Sequence, residues 1–439
     1  MKTLGAGLLT ALVFLLMTTG VAATEFDPVE ATNEYLAAVT PEDAANTDGY
    51  VNANYGITLL DTVLTIALAW LLLSLGWTQK WRDLAERVFK RKFLQAFVYV
   101  PLYLVITSVI LFPLTWYGGY FTEHRFGLSE QALGDWLIEA LQGVGIAALG
   151  LSLFVGTLYL VLRKFPQRWW LWGTGLTGGF LALLLFISPL YIDPVFNEYR
   201  PMDEGPLKER ILSMARANGM QADDVKQVDA SKQTTRVSAN VSGLFGSSRI
   251  ALNDNLLLRA SPDAVEAVMG HEIAHYVLNH QWKMITYLLL IIGACFALSN
   301  ALFKAITRRW GDAWAIRGID DYAAFPLLYA VFSSLIFLAT PMIYHVVYTQ
   351  EYEADLFAIN ATQNPDAWAE VALLTAEYRK LHPPAWEESL LNHHPSPYVR
   401  IYTGMRWKAE NLPTPTVGTS GQPDAPAADP IDPTQADTH

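Results

Sequence analysis

The pentapeptide His271–His275, which reads HEIAH, is the part of this sequence that most directly indicates chemistry. The flanking residues predict a helix, because Ser261 supplies an N-cap, Pro262 suits the first turn and apolar residues follow at helical spacing. On a helix the two histidines lie one turn apart on one face, so both imidazoles can bind the same metal ion. Glu272 then lies where a carboxylate can take a proton from a metal-activated water.

A zinc hydrolase site of this kind needs a third protein ligand and one position open to water. The metzincin glycine and third histidine are missing, and His280, one residue out of register, is interpreted as a surface or helix-end histidine. No glutamate occurs in residues 276–350, and the next two are Glu351 and Glu353. On a helix, Glu351 and Asp355 share a face from which Glu353 points away. Glu351 is therefore the predicted ligand, and Asp355 the predicted acceptor for the free N–H of a ligand histidine. The alternative is a solvated acidic helix start.

Long uncharged runs account for a composition that is 52% hydrophobic and only 16% charged. Each internal run is long enough for a helix that crosses a bilayer core, which takes about 20 residues. The predicted spans are 57–77, 93–117, 137–162, 169–191, 284–306 and 323–345. A seventh run, 4–23, has an end that suits signal-peptidase cleavage, and it can equally be a retained first helix. The sequence therefore predicts a mainly α, polytopic membrane protein with six or seven spans.

The Lys and Arg content of the short loops predicts the orientation of these spans. Residues 24–56 contain no Lys or Arg. Basic residues cluster at the ends of the first, third and fifth internal spans: Lys80, Arg82, Arg87, Lys90, Arg91, Lys92, Arg163, Lys164, Arg168, Lys304, Arg308, Arg309 and Arg317. These loops are predicted to face the cytoplasm, which places 192–283 and the residues after 346 on the other side, the periplasm of a bacterium. Both halves of the predicted metal site then lie on one side of the inner membrane.

Seven segments follow from these spans: 1–23, a signal peptide or first transmembrane helix; 24–56, an extracytoplasmic segment; 57–191, transmembrane helices; 192–283, a small α+β catalytic domain with the HExxH helix; 284–345, two transmembrane helices; 346–410, the completion of the catalytic domain; and 411–439, a disordered tail. Within 192–283, residues 205–219 predict an amphipathic helix, and 225–228 and 249–252 predict strands. An extended segment at 229–246 can bind a peptide by strand addition or pack as an ordinary hairpin.

Charge and cysteine content narrow the range of functions. The net charge of −12 argues against nucleic acid as a partner. Cys295 is the only cysteine and lies within a predicted span, so the chain has no internal disulfide. A rival to the enzyme is a non-catalytic membrane scaffold or chaperone with a structural zinc. Such sites are usually closed by four protein ligands, and the sequence offers no fourth.

Four sequence blocks resemble the type I CAAX prenyl protease family, the integral-membrane zinc metalloproteases also called a-factor-converting enzymes. These blocks are Asp229–Lys232 with Ser238–Gly243, then His271–His275, Glu351–Asp355 and His394–Ile401. The resemblance extends from the membrane spans to about residue 407. It implies a membrane chamber with a small zincin-like (gluzincin) catalytic domain.

The resemblance also implies roles for particular residues. His271, His275 and Glu351 would bind one Zn²⁺ per chain, and Glu272 would be the catalytic glutamate. The substrate would be a peptide or protein at the lipid bilayer. Eukaryotic members act on prenylated C-termini on the cytosolic side, whereas the loop charges place this site outside. The predicted function is therefore endopeptidase cleavage of membrane-associated or C-terminally modified (CAAX-type) peptides.

The histidine-proline block implies that His394 and Arg400 lie near the substrate and stabilise a tetrahedral oxyanion. The implied substrate strand comprises Ser238, Ala239, Asn240, Val241, Ser242 and Gly243. Where the family has Asn-Ala-Tyr on this strand, the chain has Ser238-Ala239-Asn240. Ser238 therefore stands where the family has its asparagine, and the oxyanion role of that asparagine is not assigned to this position.

Overall fold

The structure, a computed structural model, describes residues 26–242 and 249–412. The predicted signal peptide or first span at 1–23, Gly243 of the implied substrate strand and nearly all of the tail at 411–439 lie outside the described residues. Within the described part, six helices are long and apolar enough to cross a membrane.

The N-terminal half is helical and supplies four of these six helices. Its helices are α1 (Pro28–Leu36), α2 (Pro41–Ser74), α3 (Trp77–Val88), α4 (Lys92–Trp116), α5 (Leu133–Lys164) and α6 (Trp169–Ile187), and short π-helical turns at Tyr117–Thr122 and Ser188–Ile192 extend α4 and α6. Helix α2 begins well before the span predicted at 57. Its start is stabilised by Thr40, whose hydroxyl accepts a hydrogen bond from the Asp43 amide. Most of the segment predicted at 24–56 is therefore helical.

A small sheet with two packed helices follows α6. Strands β1 (Tyr199–Pro201), β2 (Val225–Val228), β3 (Ala239–Ser242) and β4 (Arg249–Asn253) have the order β1-β2-β4-β3, and helices α7 (Pro206–Ala217) and α8 (Pro262–Val277) accompany them. Strand β2 is parallel to β4, and the other two pairs are antiparallel. Buried Ile211, Ile250, Val265 and Met269 join α7, α8 and the sheet in one core. Of the extended segment predicted at 229–246, only β3 is a strand among its described residues.

The remaining long helices are α9 (His280–Trp310), α10 (Phe325–Thr362), α11 (Pro365–Leu374) and α12 (Pro397–Asn411), and short helices lie at Asp254–Arg259 and Ala385–Leu390. Helix α10 contains all but the first two residues of the span predicted at 323–345 and also the acidic block at 351–355, with Pro341 inside it. The membrane helix therefore extends directly into the region of the predicted metal site, and Glu351 lies on the same helix as the membrane span.

The two ends of the bundle are distinguished by their contacts. At one end the basic loops pack together, and Arg82 forms an ion pair of 2.8 Å with Asp321 in which both side chains are almost fully buried. At the other end, α1 packs against α11 and α12, where the Tyr35 hydroxyl donates a 2.7 Å hydrogen bond to Asp366. The basic loops therefore lie opposite the residues of the predicted site.

The membrane helices enclose an apolar cavity of about 450 Å³. Its walls come from α2, α4, α5, α6, α9 and α10, with side chains such as Phe154, Leu158 and Leu328. Asp61 is the one charged side chain among the described residues that line it. This architecture confirms the predicted fold class, a mainly α membrane protein that forms a chamber and carries a small α+β domain.

Candidate metal centre

The side chains of α8 and α10 meet at a cluster of two histidines and one glutamate, His271, His275 and Glu351. These three candidate ligand residues are called the metal cluster. His271 Nε2 lies 3.1 Å from His275 Nε2 and 3.2 Å from Glu351 Oε2, and His275 Nε2 lies 3.5 Å from Glu351 Oε1. A tetrahedral zinc ion with bonds of about 2.0–2.1 Å holds its ligand atoms about 3.3–3.4 Å apart. The three side chains therefore fit the ligand shell of one such ion.

Small residues allow the two helices to approach closely enough for this contact. Gly270 faces α10, and a Cβ at this position would lie 3.3 Å from the Cα of Ala358. Ala264, Ala267 and Ala358 are fully buried in the same contact. Because a larger residue in this row would push the helices apart, the glycine beside His271 helps to set the distance between the histidines and Glu351.

Asp355 lies one helical turn beyond Glu351 and approaches the other nitrogen of His271, with 2.9 Å between Oδ1 and Nδ1. A carboxylate at this position favours the tautomer that leaves Nε2 free for a metal. Burial by itself disfavours a charged His271, but Asp355 and Glu351 outweigh it and raise the pKa of His271 to about 9. The two carboxylates therefore favour a positive charge at the His271 imidazole.

Burial changes the pKa values of Glu272 and His275 in opposite directions. Burial raises the pKa of Glu272 to about 7, although a hydrogen bond from the Val241 backbone amide partly lowers it. Burial also lowers the pKa of His275 to about 4, which keeps this imidazole neutral and able to bind a metal. A carboxyl group with a pKa near neutrality is suited to general acid–base catalysis.

Arg400 lies behind the cluster, buried among acidic and aromatic groups. Its Nε is 3.1 Å from Asp355 Oδ2, and its terminal nitrogen is 3.6 Å from Glu351 Oε2. The guanidinium lies over the ring of Trp368, which stacks on His271 with 5.6 Å between ring centroids. The contacts of Arg400 therefore position both carboxylates.

His394 completes the surroundings of Glu351 from the loop that precedes α12. Its Nε2 lies 3.2 Å from Glu351 Oε2, and burial holds the pKa of His394 well below its usual range. The imidazole is therefore neutral at physiological pH and can donate one hydrogen bond.

Of the two interpretations of His280, a surface or a helix-end histidine, the structure supports the second, since His280 begins α9. Its side chain is buried, with Nδ1 2.9 Å from His275 Nδ1 and Nε2 3.1 Å from Glu353 Oε2. Asn279 has a left-handed conformation (φ 57°) that separates α8 from α9, and His280 at the start of α9 lies against His275. Glu353, which points away from the metal cluster, thus contacts it through His280. The sequence signal was a histidine directly after an asparagine that ends the HExxH helix.

The implied substrate strand is represented by β3, which is one of the two edge strands of the sheet in the described residues. It pairs with β4 on one side only. The Asn253 side chain holds its start by accepting a hydrogen bond from the Ser238 amide and donating one to the Arg236 carbonyl. The free edge of β3 lies beside Glu272, since Ala239 and Val241 line the cavities that flank this residue.

Two cavities meet at Glu272 and Glu351. The first, about 610 Å³, is mainly apolar and shares Leu181 and Leu184 with the membrane cavity. The second, about 330 Å³, is lined by Arg236, Arg379 and Arg400 as well as His394 and is called the cationic pocket. The metal cluster therefore lies between an apolar space that continues toward the membrane helices and the cationic pocket.

This fold and this site define a class of protein, the integral-membrane metalloproteases. Residues 201–404 match the sequence model described as Peptidase family M48, and residues 29–198 match the one described as CAAX prenyl protease N-terminal, five membrane helices. The chain therefore belongs to peptidase family M48 and to its type I CAAX prenyl proteases, as the sequence blocks predicted.

Individual relatives agree with this membership. The uncharacterized metalloprotease YhfN of Bacillus subtilis is 30% identical over 375 residues, which are 85% of this chain and 87% of that one. CAAX prenyl protease 1 of Saccharomyces cerevisiae is 29% identical over 223 residues, 48% of this chain and 47% of that one. The crystal structure of Ste24p from S. mikatae shares the fold, with a TM-score of 0.70, 20% identity and coverage of 86% of this chain and 94% of that chain.

Proposed function

We propose that this protein is a zinc-dependent endopeptidase that cleaves membrane-associated or C-terminally modified peptides. The observation that carries the proposal is the spacing of His271, His275 and Glu351, which matches the ligand shell of one tetrahedral ion. The two Nε2 atoms and the Glu351 carboxylate would hold the ion. The catalytic domain would combine residues 192–283 with 346–410.

Each step of peptide hydrolysis has a residue to perform it. A bound zinc ion would supply Lewis acidity, which acidifies water toward a pKa of about 7 and polarises a carbonyl oxygen. Glu272 would accept the proton of the attacking water and deliver it to the leaving nitrogen, because its pKa of about 7 lets it gain and lose a proton near neutrality. The N–H of His394 would stabilise the oxyanion, and Arg400 would support it by positioning Glu351.

A structural zinc site in a non-catalytic scaffold is the alternative. Structural sites are usually closed by four protein ligands. Among the described residues, the cluster offers three ligand groups, and two cavities open beside it. These observations favour catalysis.

Removal of the metal tests the proposal directly. We expect the detergent-purified protein to contain one zinc ion per chain and to cleave a quenched fluorescent peptide. Chelation should abolish cleavage, and stoichiometric zinc should restore it, because the Lewis acid is essential to the mechanism. Metal content is measured by mass spectrometry in the samples used for the assay. Undiminished cleavage by zinc-free protein would contradict the proposal.

We also propose that the site faces the periplasm of a bacterial inner membrane. The support is the Lys and Arg content of the loops, which pack together at the end of the bundle opposite the metal cluster. Reporter fusions placed in the loop at 80–92 and after residue 412 are expected to show cytoplasmic and periplasmic activity, respectively. A cytoplasmic reporter signal from the second fusion would contradict the proposed orientation.

A further inference from the structure

One cation beside the metal cluster, Arg379, makes no ion pair among the described residues. Its Nη1 atom is buried there without a hydrogen-bond partner. The neighbouring arginines are neutralised, since Arg236 pairs with Glu123 at 2.6 Å and Arg400 pairs with Asp355 at 3.1 Å. A buried, unpaired charge is costly, and its persistence calls for an anion supplied from outside the fold.

The position of Arg379 places this charge within the substrate space. It follows α11 and lines the 330 Å³ pocket together with Glu272 and His394. It also lines an adjoining cavity of about 390 Å³, where no Asp or Glu is present among the described lining residues. Burial lowers the pKa of Arg379 only to about 10, so the guanidinium is charged at neutral pH.

Aromatic packing holds the guanidinium in place. The central carbon of Arg379 lies 5.2 Å from the ring centroid of Tyr378, and that of Arg236 lies 5.3 Å from the same ring. An arginine that is already restrained loses little conformational entropy when it binds an anion.

We infer that Arg379 binds a carboxylate of the substrate on the C-terminal side of the scissile bond. The inference rests on the proposed function, because it assumes a peptide at the metal cluster. The carboxylate is either the free C-terminus of the peptide or an acidic side chain close to it. A guanidinium binds either group through two parallel hydrogen bonds, which a neutral amide cannot reproduce.

The direction of β3 explains why the C-terminal side is involved. Its start, Ser238–Ala239, lines the cationic pocket, and Val241 lines the apolar cavity. A peptide that adds to the free edge in the more stable antiparallel manner runs opposite to β3. Its C-terminal residues then reach the pocket of Arg379, and its N-terminal residues lie in the apolar cavity that continues toward the membrane helices.

The test compares three quenched fluorescent peptides that share one sequence except at the C-terminal end. The first ends in a free carboxylate, the second in an amide, and the third in an amide with a glutamate near the end. The protein variants are wild type, Arg379→Gln and Arg379→Lys. Arg406→Gln is the matched control, since it removes the same charge from an exposed side chain on α12. Metal content and elution profile check that each variant is folded.

We expect wild type to have a kcat/KM for one carboxylate peptide that is about 10–100-fold above that for the plain amide, the range for a hydrogen-bonded charge. Arg379→Gln should lower kcat/KM for that carboxylate peptide about 10–100-fold more than for the plain amide, so that the preference disappears. Arg379→Lys should restore part of the preference, and Arg406→Gln should keep all of it. Whichever carboxylate peptide shows the effect identifies the source of the anion. Equal cleavage of all three peptides by wild type, or an equal loss for all three in Arg379→Gln, would overturn the inference.

A binding measurement separates this inference from the proposed function. The peptides are labelled and their binding to Glu272→Gln is measured by fluorescence anisotropy, with and without Arg379→Gln. A carboxylate preference that depends on Arg379 would support the inference even if wild type cleaved nothing, in which case the proposed function alone would fail. Binding without such a preference would overturn the inference, whatever the cleavage assay showed.

Discussion

Replacement of Glu272 by glutamine is expected to reduce kcat by at least about 10²–10⁴-fold, the usual contribution of general acid–base catalysis. Glutamine has nearly the same shape, but its amide cannot accept a proton from water and deliver it to the leaving nitrogen. Zinc content should not change, because Glu272 lies outside the group His271, His275 and Glu351. The measurements are kcat with a fluorescent peptide and the zinc-to-protein ratio of the same sample.

Glu266→Gln provides the matched control for this change. Glu266 lies on the same helix, α8, and forms an ion pair with Arg210 on the domain surface. The same chemical substitution there should leave kcat within about twofold, since surface ion pairs contribute little. Undiminished cleavage by Glu272→Gln would refute the proposed base, and loss of zinc would show that Glu272 is a ligand.

Replacement of Glu351 by alanine is expected to weaken zinc binding by more than about 100-fold and to remove activity with it. The reason is that loss of residues that only orient the ligands already costs about 10–100-fold in metal affinity. Here a ligand itself is lost, and the two histidines that remain cannot complete the site. Competition with a coloured chelator measures the affinity.

Glu353→Ala is the control two residues further along α10. Its carboxylate contacts His280 and Lys283 and reaches the metal cluster only through His280. The loss of zinc affinity should therefore be much smaller than for Glu351→Ala, and activity should persist at saturating zinc. If Glu353→Ala lost its zinc and Glu351→Ala kept it, the third ligand would have to be reassigned.

Several features of this protein could be predicted from local patterns because they depend on neighbours along the chain. Ser261 does cap α8, as its hydroxyl accepts a hydrogen bond from the Ala264 amide. The membrane helices were found from their length and lack of charge, properties that require no knowledge of packing. Their ends were less predictable, since α2 and α10 continue beyond the apolar runs as amphipathic or polar helices.

Glu351 was reached by elimination, because the chain contains no other glutamate between the motif and residue 351. Its distance to the histidines was not predictable. That distance depends on how closely α8 and α10 pack, although many residues separate these helices in sequence. The small size of Gly270 and Ala358 lets the two helices approach each other. The distance between two packed helices depends on the side chains of both, so it could not be read from either helix alone.

The class of this protein follows from local patterns, because the HExxH helix, the acidic block and the apolar spans are each encoded within one continuous stretch of chain. The folded arrangement of the helices, by contrast, buries His280 against His275 and leaves Arg379, unlike Arg236 and Arg400, without an ion pair among the described residues. The physical reason is that burial and charge pairing arise between segments far apart in sequence. A residue type and its neighbours do not show which other segment will approach it.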